Sequence, residues 1–327
     1  MNSRFTVLLV LILPIWLTLS VFVLFSYKAQ NILSSHVEVR TSSETAINIV
    51  YSPEYVAEEK IQELSLSTSS LSSSSSSSSI SSISSKAPID LSIKYSVPSI
   101  MYHHINPVSV NDKKDKILAG LSVSPTKFEN DLKDIQNMGF ETIFPYEIEE
   151  KLENNVKQDK KYVMITIDDG YEDVYKYAMP ILLKYKMKAT YYVMPNFVGR
   201  NNPQRVNMAD NYSTWEEIKE MKDSGYINIG SHTMDHAELS NIKYTEADLR
   251  YQIFESKKVL EEKLKIQIKD FSYPYGMYNQ NVANLVSQAG YLTANITKGG
   301  KDVSMGNIFR MPRYHSSNTN PFRNILK

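Results

Sequence analysis

Residues 164–173 read MITIDDGYED: an apolar, β-branched run ends abruptly on two adjacent carboxylates and a glycine. With Tyr162 and Val163 before it, the run is apolar on both faces, the pattern of a strand covered on two sides in a parallel sheet. Successive strand residues point to opposite faces, so Asp168 and Asp169 can serve one site only where the strand is already turning. Gly170 is the residue type that permits such a turn.

Outward from this strand, helix and strand signals alternate. Ser124 reads as an N-cap with Pro125 at the first helical position, followed by Phe128, Leu132 and Ile135 on one face and Gly139 as a stop. A short strand, ETIF, follows at 141–144. Further on, a helix interrupted by Pro180 leads to a strand over 189–194, and Thr214 with Glu217 forms a capping box opening a helix that stops near Gly225. YINIG at 226–230 is the next strand. Residues 245–265 carry Leu249, Ile253, Leu260 and Leu264 on one stripe and form the longest helix. Strand then helix, repeated, predicts an α/β fold with a parallel sheet or barrel whose active groups gather at the strands' C-terminal ends.

Two further stretches sit at such ends. INIGSHTMDHAEL, 227–239, presents His232 and His236 after a strand, and two imidazoles four apart reach one metal if the turn is helical or tightly coiled. The chain has no cysteine, which excludes thiolate metal sites, disulfides and cysteine lipidation. Any metal here takes His, Asp or Glu. Two neutral imidazoles and one carboxylate form a facial triad with open positions, and Asp169 or Asp168 completes it. Of two adjacent aspartates, one can bind the cation while the other takes a proton from water. Each motif alone also fits a plain role, the aspartates capping the next helix and His232 bonding backbone in a turn. Together, each after a strand, they favour a metal site. The third stretch, DFSYPYGMYN at 270–279, is a strand followed by Pro274, Tyr275 and Gly276, which a simple turn would also explain.

Taken together, TIDDG, SHTMDH and FSYPYG resemble the three motifs of polysaccharide deacetylases of the NodB-homology type, carbohydrate esterase family 4. The resemblance extends over about 98–327, with MYHHI at 101–105, TWEEI before the second motif and RMPRYH near the end. It implies a distorted (β/α) barrel, Asp168 as general base, and Asp169, His232 and His236 as ligands of a divalent ion, usually zinc. It also implies that the Tyr275 backbone N–H, between Pro274 and Gly276, helps hold the oxyanion. Two positions depart from the pattern. Many members carry a base-orienting arginine in the third motif, where this chain offers only Lys269 in KDFSYPYG. Many supply the general acid from a Leu-x-His near the end, where this chain has Arg313, Tyr314 and His315. His315 is the first candidate for the acid, since imidazole titrates in the useful range. His103 in MYHHI is a second pocket-lining candidate, and its strand neighbour His104 faces the other way. Trp215 reads as a packing residue at a helix start, and Tyr273, Tyr278 and Asn279 as candidate sugar contacts.

The expected reaction is metal-dependent hydrolysis of N-acetyl groups from an extracellular polysaccharide containing N-acetylglucosamine, releasing acetate. The YPYG form with MYHHI is similar to the branch acting on poly-β-1,6-N-acetylglucosamine in biofilm matrices. Peptidoglycan or chitin-like oligomers, O-acetylated xylan, and a non-catalytic carbohydrate-binding module are the alternatives.

The rest of the chain bears on location. Thirty-six basic and thirty-six acidic residues cancel, so no overall field draws nucleic acid or anionic surfaces. Among 327 residues, 42% hydrophobic and 22% charged suit a globular domain with a core. Residues 5–27 are uncharged, about 23 positions against the roughly 20 that a bilayer core requires. A cleaved signal has a shorter apolar region, about 7–15 residues, ending in small residues. A retained transmembrane anchor over 1–28 is therefore expected, with a secreted protein if it is cleaved. Residues 29–96 read as a polar stalk and a Ser-rich flexible linker, since SLSTSSLSSSSSSSSISSISS at 65–85 is too poor in apolar groups to offset the entropy of ordering. The catalytic domain occupies 97–327, outside the cell membrane, with the membrane and the polysaccharide as its partners.

Overall fold

The computed structural model describes residues 40–41, 47–48, 88–107, 116–201, 211–317 and 326. By its internal contacts the chain divides into 1–83 and 84–327. In the first unit, Arg40–Thr41 pairs antiparallel with Ile47–Asn48. The expected anchor at 5–27, and the serine tether at 65–85, lie outside the described residues, among which no helix is long and apolar enough to cross a membrane.

In the second unit seven strands carry the site: Ser99–Tyr102 (β1), Tyr162–Ile167 (β2), Ala189–Val193 (β3), Ile227–Ser231 (β4), Asp270–Ser272 (β5), Thr293–Asn295 (β6) and Tyr314–His315 (β7). They lie in the order β6-β5-β4-β3-β2-β1-β7, and every pairing is parallel. The sheet curls. Met311 bridges in parallel to Asn295 at the end of β6, while β7, just beyond, pairs with β1. Residues 311–316 thus tie one edge to the other, with Met311 N–H donating to Ala294 C=O and Ser316 N–H to Met101 C=O. The curled parallel sheet agrees with the barrel expected from the alternation.

Burial explains the unalternating β2. All six of its residues are buried; Val163, Ile165 and Ile167 join the main core under the helices, while Tyr162 and Met164 join a second cluster with Tyr95, Val97 and Met311. The helix Pro125–Asn137 (α1) starts as its sequence requires, the Ser124 side chain accepting from Lys127 N–H. It buries Phe128, Leu132 and Ile135 completely, each worth about 1.5–3 kcal/mol. Helix Trp215–Asp223 (α2) shows the reciprocal Thr214–Glu217 cap.

Three elements differ from expectation. The ETIF strand is only Glu141–Thr142, because Pro145 opens the helix Pro145–Glu153. Pro180 sits inside a helical run over 172–185, and the interruption takes the form of a π-helical turn at Val174–Ala178 directly before it rather than a break. The longest helix runs as Glu246–Arg250, a π-helical turn Tyr251–Glu255, and Ser256–Leu264. Its stripe of Leu249, Ile253, Leu260 and Leu264 is buried throughout.

Candidate active site

β2 gives way at Asp168, whose N–H still donates to Tyr102 C=O at 3.0 Å. Asp169 and Gly170 then take φ of 76° and 80°. Two successive left-handed residues turn the chain at the strand end, as the paired aspartates require. Beyond β4, Thr233 and His236 both have φ of 66°. Thr233 Oγ1 accepts from the N–H groups of His236 (3.0 Å) and Ala237 (3.3 Å), closing a tight coil. The coil brings His232 Nε2 and His236 Nε2 each to 3.3 Å from Asp169 Oδ1, and the three ligand atoms lie within 4.8 Å of one another.

This geometry suits a cation better than hydrogen bonds. Asp169 Oδ1 is buried with no hydrogen-bond partner among the described residues. The 3.3 Å separations are long against the roughly 2.7–2.9 Å of charge-assisted bonds. His232 Nδ1 lies 2.8 Å from Ser272 C=O, which can only accept, so Nδ1 carries the hydrogen and Nε2 presents a lone pair. Two imidazole nitrogens and one carboxylate oxygen form a donor set that fits a divalent transition ion.

Asp168 does not join that set. Arg313 grips its carboxylate in a fork, Nη1 to Oδ1 and Nη2 to Oδ2 both at 2.7 Å, and Ser272 Oγ donates to Oδ2 at 3.2 Å. Arg313 is itself wholly buried, its other donors going to Thr166 Oγ1, Ser272 Oγ and Ile296 C=O. Burial alone would raise the Asp168 pKa, but the guanidinium, with help from His232, holds it below the ordinary carboxylate value. Lys269, the only basic residue the sequence offered near the third motif, is elsewhere: it pairs with Glu150 at 2.8 Å over the Tyr146 ring. The RMPRYH segment holds Arg313 two positions before its histidine. The missed signal was the period of two, which puts Arg313 and His315 on one face of an extended segment.

The rings of His103 and His315 face each other with centroids 5.5 Å apart. His103 Nδ1 is buried without a hydrogen-bond partner among the described residues, and burial pushes its pKa down to about 4 against the pull of Asp169 and Asp168. Burial also lowers the pKa of His315, against Asp168. His104 points away, its Nδ1 2.7 Å from Asp173 and its ring stacked at 3.7 Å on Tyr171. Tyr275, at φ 60°, is 60% exposed and sets its ring 4.6 Å from that of His236. Pro274 is buried beside it, and Gly276 (φ 70°) has no room for a Cβ, which would lie 2.2 Å from Thr297 Oγ1.

Tyr273 is not a sugar contact: it is fully buried, its hydroxyl donating to Phe309 C=O at 3.0 Å. Tyr278 stacks on it, and Asn279 caps the helix Gln280–Gln288 by accepting from Val282 N–H. Trp215 packs against the main core at the start of α2.

A curled parallel sheet with an Asp-His-His cluster and a clamped aspartate at its strand ends defines a class, and residues 155–294 match the family model for polysaccharide deacetylase. Those residues are thus a polysaccharide deacetylase domain by that model, within the larger folded unit. A Bacillus subtilis (strain 168) protein, YxkH, assigned by name to the polysaccharide deacetylases, is 32% identical over 204 residues, 62% of this chain and 65% of its own. The poly-beta-1,6-N-acetyl-D-glucosamine N-deacetylase of Staphylococcus aureus (strain MRSA252) is 31% identical over 183 residues, 54% of this chain and 61% of its own. The chain thus spans less than two thirds of the length of either relative. Streptococcus pyogenes deacetylase PplD, solved in complex with acetate, superposes with a TM-score of 0.62 at 27% identity, covering 70% of this chain and 96% of that one. IcaB from Ammonifex degensii shares the fold, with a TM-score of 0.58 at 24% identity over 68% of this chain and 92% of its own.

Proposed function

We propose that the domain hydrolyses N-acetyl groups of an extracellular polysaccharide containing N-acetylglucosamine, with poly-β-1,6-N-acetylglucosamine as the favoured polymer and zinc as the favoured ion. The observation that carries the reading is the convergence of Asp169, His232 and His236 on one point beside an Asp168 held apart by Arg313. The family-model match over 155–294 supports the reaction, and the name of the Staphylococcus aureus relative supports the polymer. The ligand chemistry, two imidazoles and one carboxylate, supports the ion.

A bound divalent ion supplies Lewis acidity toward the acetyl carbonyl and a lowered pKa for water. Asp168, kept ionised and aimed by its arginine, takes the proton of the attacking water. The Tyr275 N–H, by the family resemblance, shares the charge that develops on the carbonyl oxygen. His315 returns a proton to the departing nitrogen; His103, its pKa down at about 4, is neutral near pH 7 and lines the pocket. Water is consumed, and acetate and a free amine result. The anchor at 5–27 and the serine tether at 65–85 belong to this proposal on sequence alone, letting the domain sweep a shell outside the membrane.

The test is acetate release from poly-β-1,6-N-acetylglucosamine, peptidoglycan, chitin oligomers and acetylated xylan, with and without a chelator. Release from the first, abolished by chelation and restored by zinc, is expected. Asp168→Asn should abolish turnover with cation content nearly intact, whereas His232→Ala should lose both. Equal cation loss in the two contradicts the assigned roles, and sugar binding without release from any polymer identifies a binding module instead.

A further inference from the structure

We propose that Gln252, carried on the π-helical turn Tyr251–Glu255, is a positioning residue that fixes the coil bearing both imidazoles. The inference rests on the reading of Asp169, His232 and His236 as a cation centre. Gln252 is 5% exposed, and its side-chain amide spans the residues between Thr233 and His236. Its Oε1 accepts from Met234 N–H at 3.0 Å, and its Nε2 donates to Asp235 Oδ1 at 2.8 Å. The orientation of the amide follows from chemistry, since a backbone N–H can meet only an acceptor.

The carbonyl side of Met234 is also held. Met234 C=O accepts from Asn196 N–H at 3.0 Å, and Asn196 Nδ2 donates to the Tyr251 hydroxyl at 3.3 Å. Neighbouring positions of one π turn therefore brace the coil, Gln252 directly and Tyr251 through Asn196. Such bracing has a reason. Thr233 and His236 are both left-handed, a conformation costing a non-glycine residue roughly 1–2 kcal/mol, and it persists only where surroundings over-determine it. A π turn admits one extra residue to a helical turn and so resets which side chain faces the neighbouring loop. In the long helix the residue brought to face the coil is Gln252.

The test is a charge-swap cycle on the full chain, read by zinc affinity from chelator competition, the visible spectrum of the cobalt-substituted protein, and the melting temperature of the cation-free protein. Gln252→Glu keeps the acceptor for Met234 N–H but sets a carboxylate against Asp235; affinity should fall about 10- to 100-fold, the range for residues that orient metal ligands. In the double variant D235N/Q252E the pair is restored with donor and acceptor exchanged, and most of that loss should be recovered. Asp235→Ala and Asp235→Asn remove the same charge on an exposed residue, but only the second keeps the bond, so Asp235→Ala should bind zinc several-fold more weakly. The inference is overturned if Q252E binds within about twofold of wild type with an unchanged cobalt spectrum. It also falls if the double variant recovers nothing, or if the two Asp235 variants bind alike. His232→Ala separates the two claims: retained zinc there sinks the cation centre and this inference with it, while its loss beside an unaffected Q252E sinks the inference alone.

Discussion

Arg313 and Asp168 form a buried ion pair in which every guanidinium nitrogen is engaged, so neither member can be removed cheaply. Arg313→Ala strands an ionised carboxylate in the interior, and stability should fall by about 3–5 kcal/mol in urea titrations. Turnover should fall at least about a hundredfold as the proposed base, Asp168, loses its aim. Arg313→Lys keeps the charge without the fork, so it should recover part of the stability and little of the rate. The acid dependence follows from the depressed Asp168 pKa. Its contribution is present above the unfolded carboxylate value and lost as pH falls through the lower folded one, so the gap between wild type and Arg313→Ala should narrow in acid. The four residues at the ends of β2 and β4 were legible because their spacing is local, a strand end and a turn. Arg313 was not, because it meets Asp168 from 145 positions away and only the closing of the sheet brings it there. Tyr273 was misjudged because sequence adjacency to a turn does not report which side of the backbone packs inward.

At the scale of elements, left-handed non-glycine residues fall into two groups. Asn155, Lys186 and Lys265 follow helices, where such a residue is ordinary, whereas Asp169, Thr233, His236 and Tyr275 stand at the ends of β2, β4 and β5. Strain is thus concentrated where chemistry is proposed. Glycine matters differently within β4. A Cβ at Gly230 would lie 2.5 Å from the Tyr192 ring and 2.9 Å from Asp270 C=O, and Tyr192 accepts from Asn295 Nδ2 at 2.6 Å. Gly230→Ala should therefore cost about 1–3 kcal/mol or more by overpacking, measured by chemical denaturation. The helices were legible wherever caps and apolar stripes coincide, as at Ser124 and Thr214. The π turns were not, because Leu249, Ile253, Leu260 and Leu264 keep the spacing of an ordinary α-helix across the turn and so carry no mark of the extra residue.

For the molecule as a whole, the parallel sheet could be read from the alternation of strands and helices, while the closing segment could not: RMPRYH contains a proline and too short a strand to register as one. Another buried carboxylate stands at the start of β5. Asp270 accepts from Thr293 Oγ1 and Asn228 Nδ2, both at 2.6 Å, and burial, outweighing these donors, pushes its pKa up to about 7. A raised carboxylate pKa means that the folded state binds the extra proton. That contribution is fully present below the unfolded value, is lost as pH rises through about 7, and amounts to about 4 kcal/mol at most. Stability of wild type relative to Asp270→Asn should accordingly decline between about pH 4 and 7 and level off above, in denaturation curves at fixed ionic strength. Residues 311–316, which join β6 to β1, are among the last of the domain to be made. A ribosome delivers them after Asp169, His232 and His236 have been made, so a nascent chain lacks its guanidinium clamp until the sheet can close. Synthesis order thereby leaves Asp168 unclamped until the last part of the domain is made, and a chain terminated ahead of Met311 should emerge with an open sheet edge and Asp168 without its guanidinium.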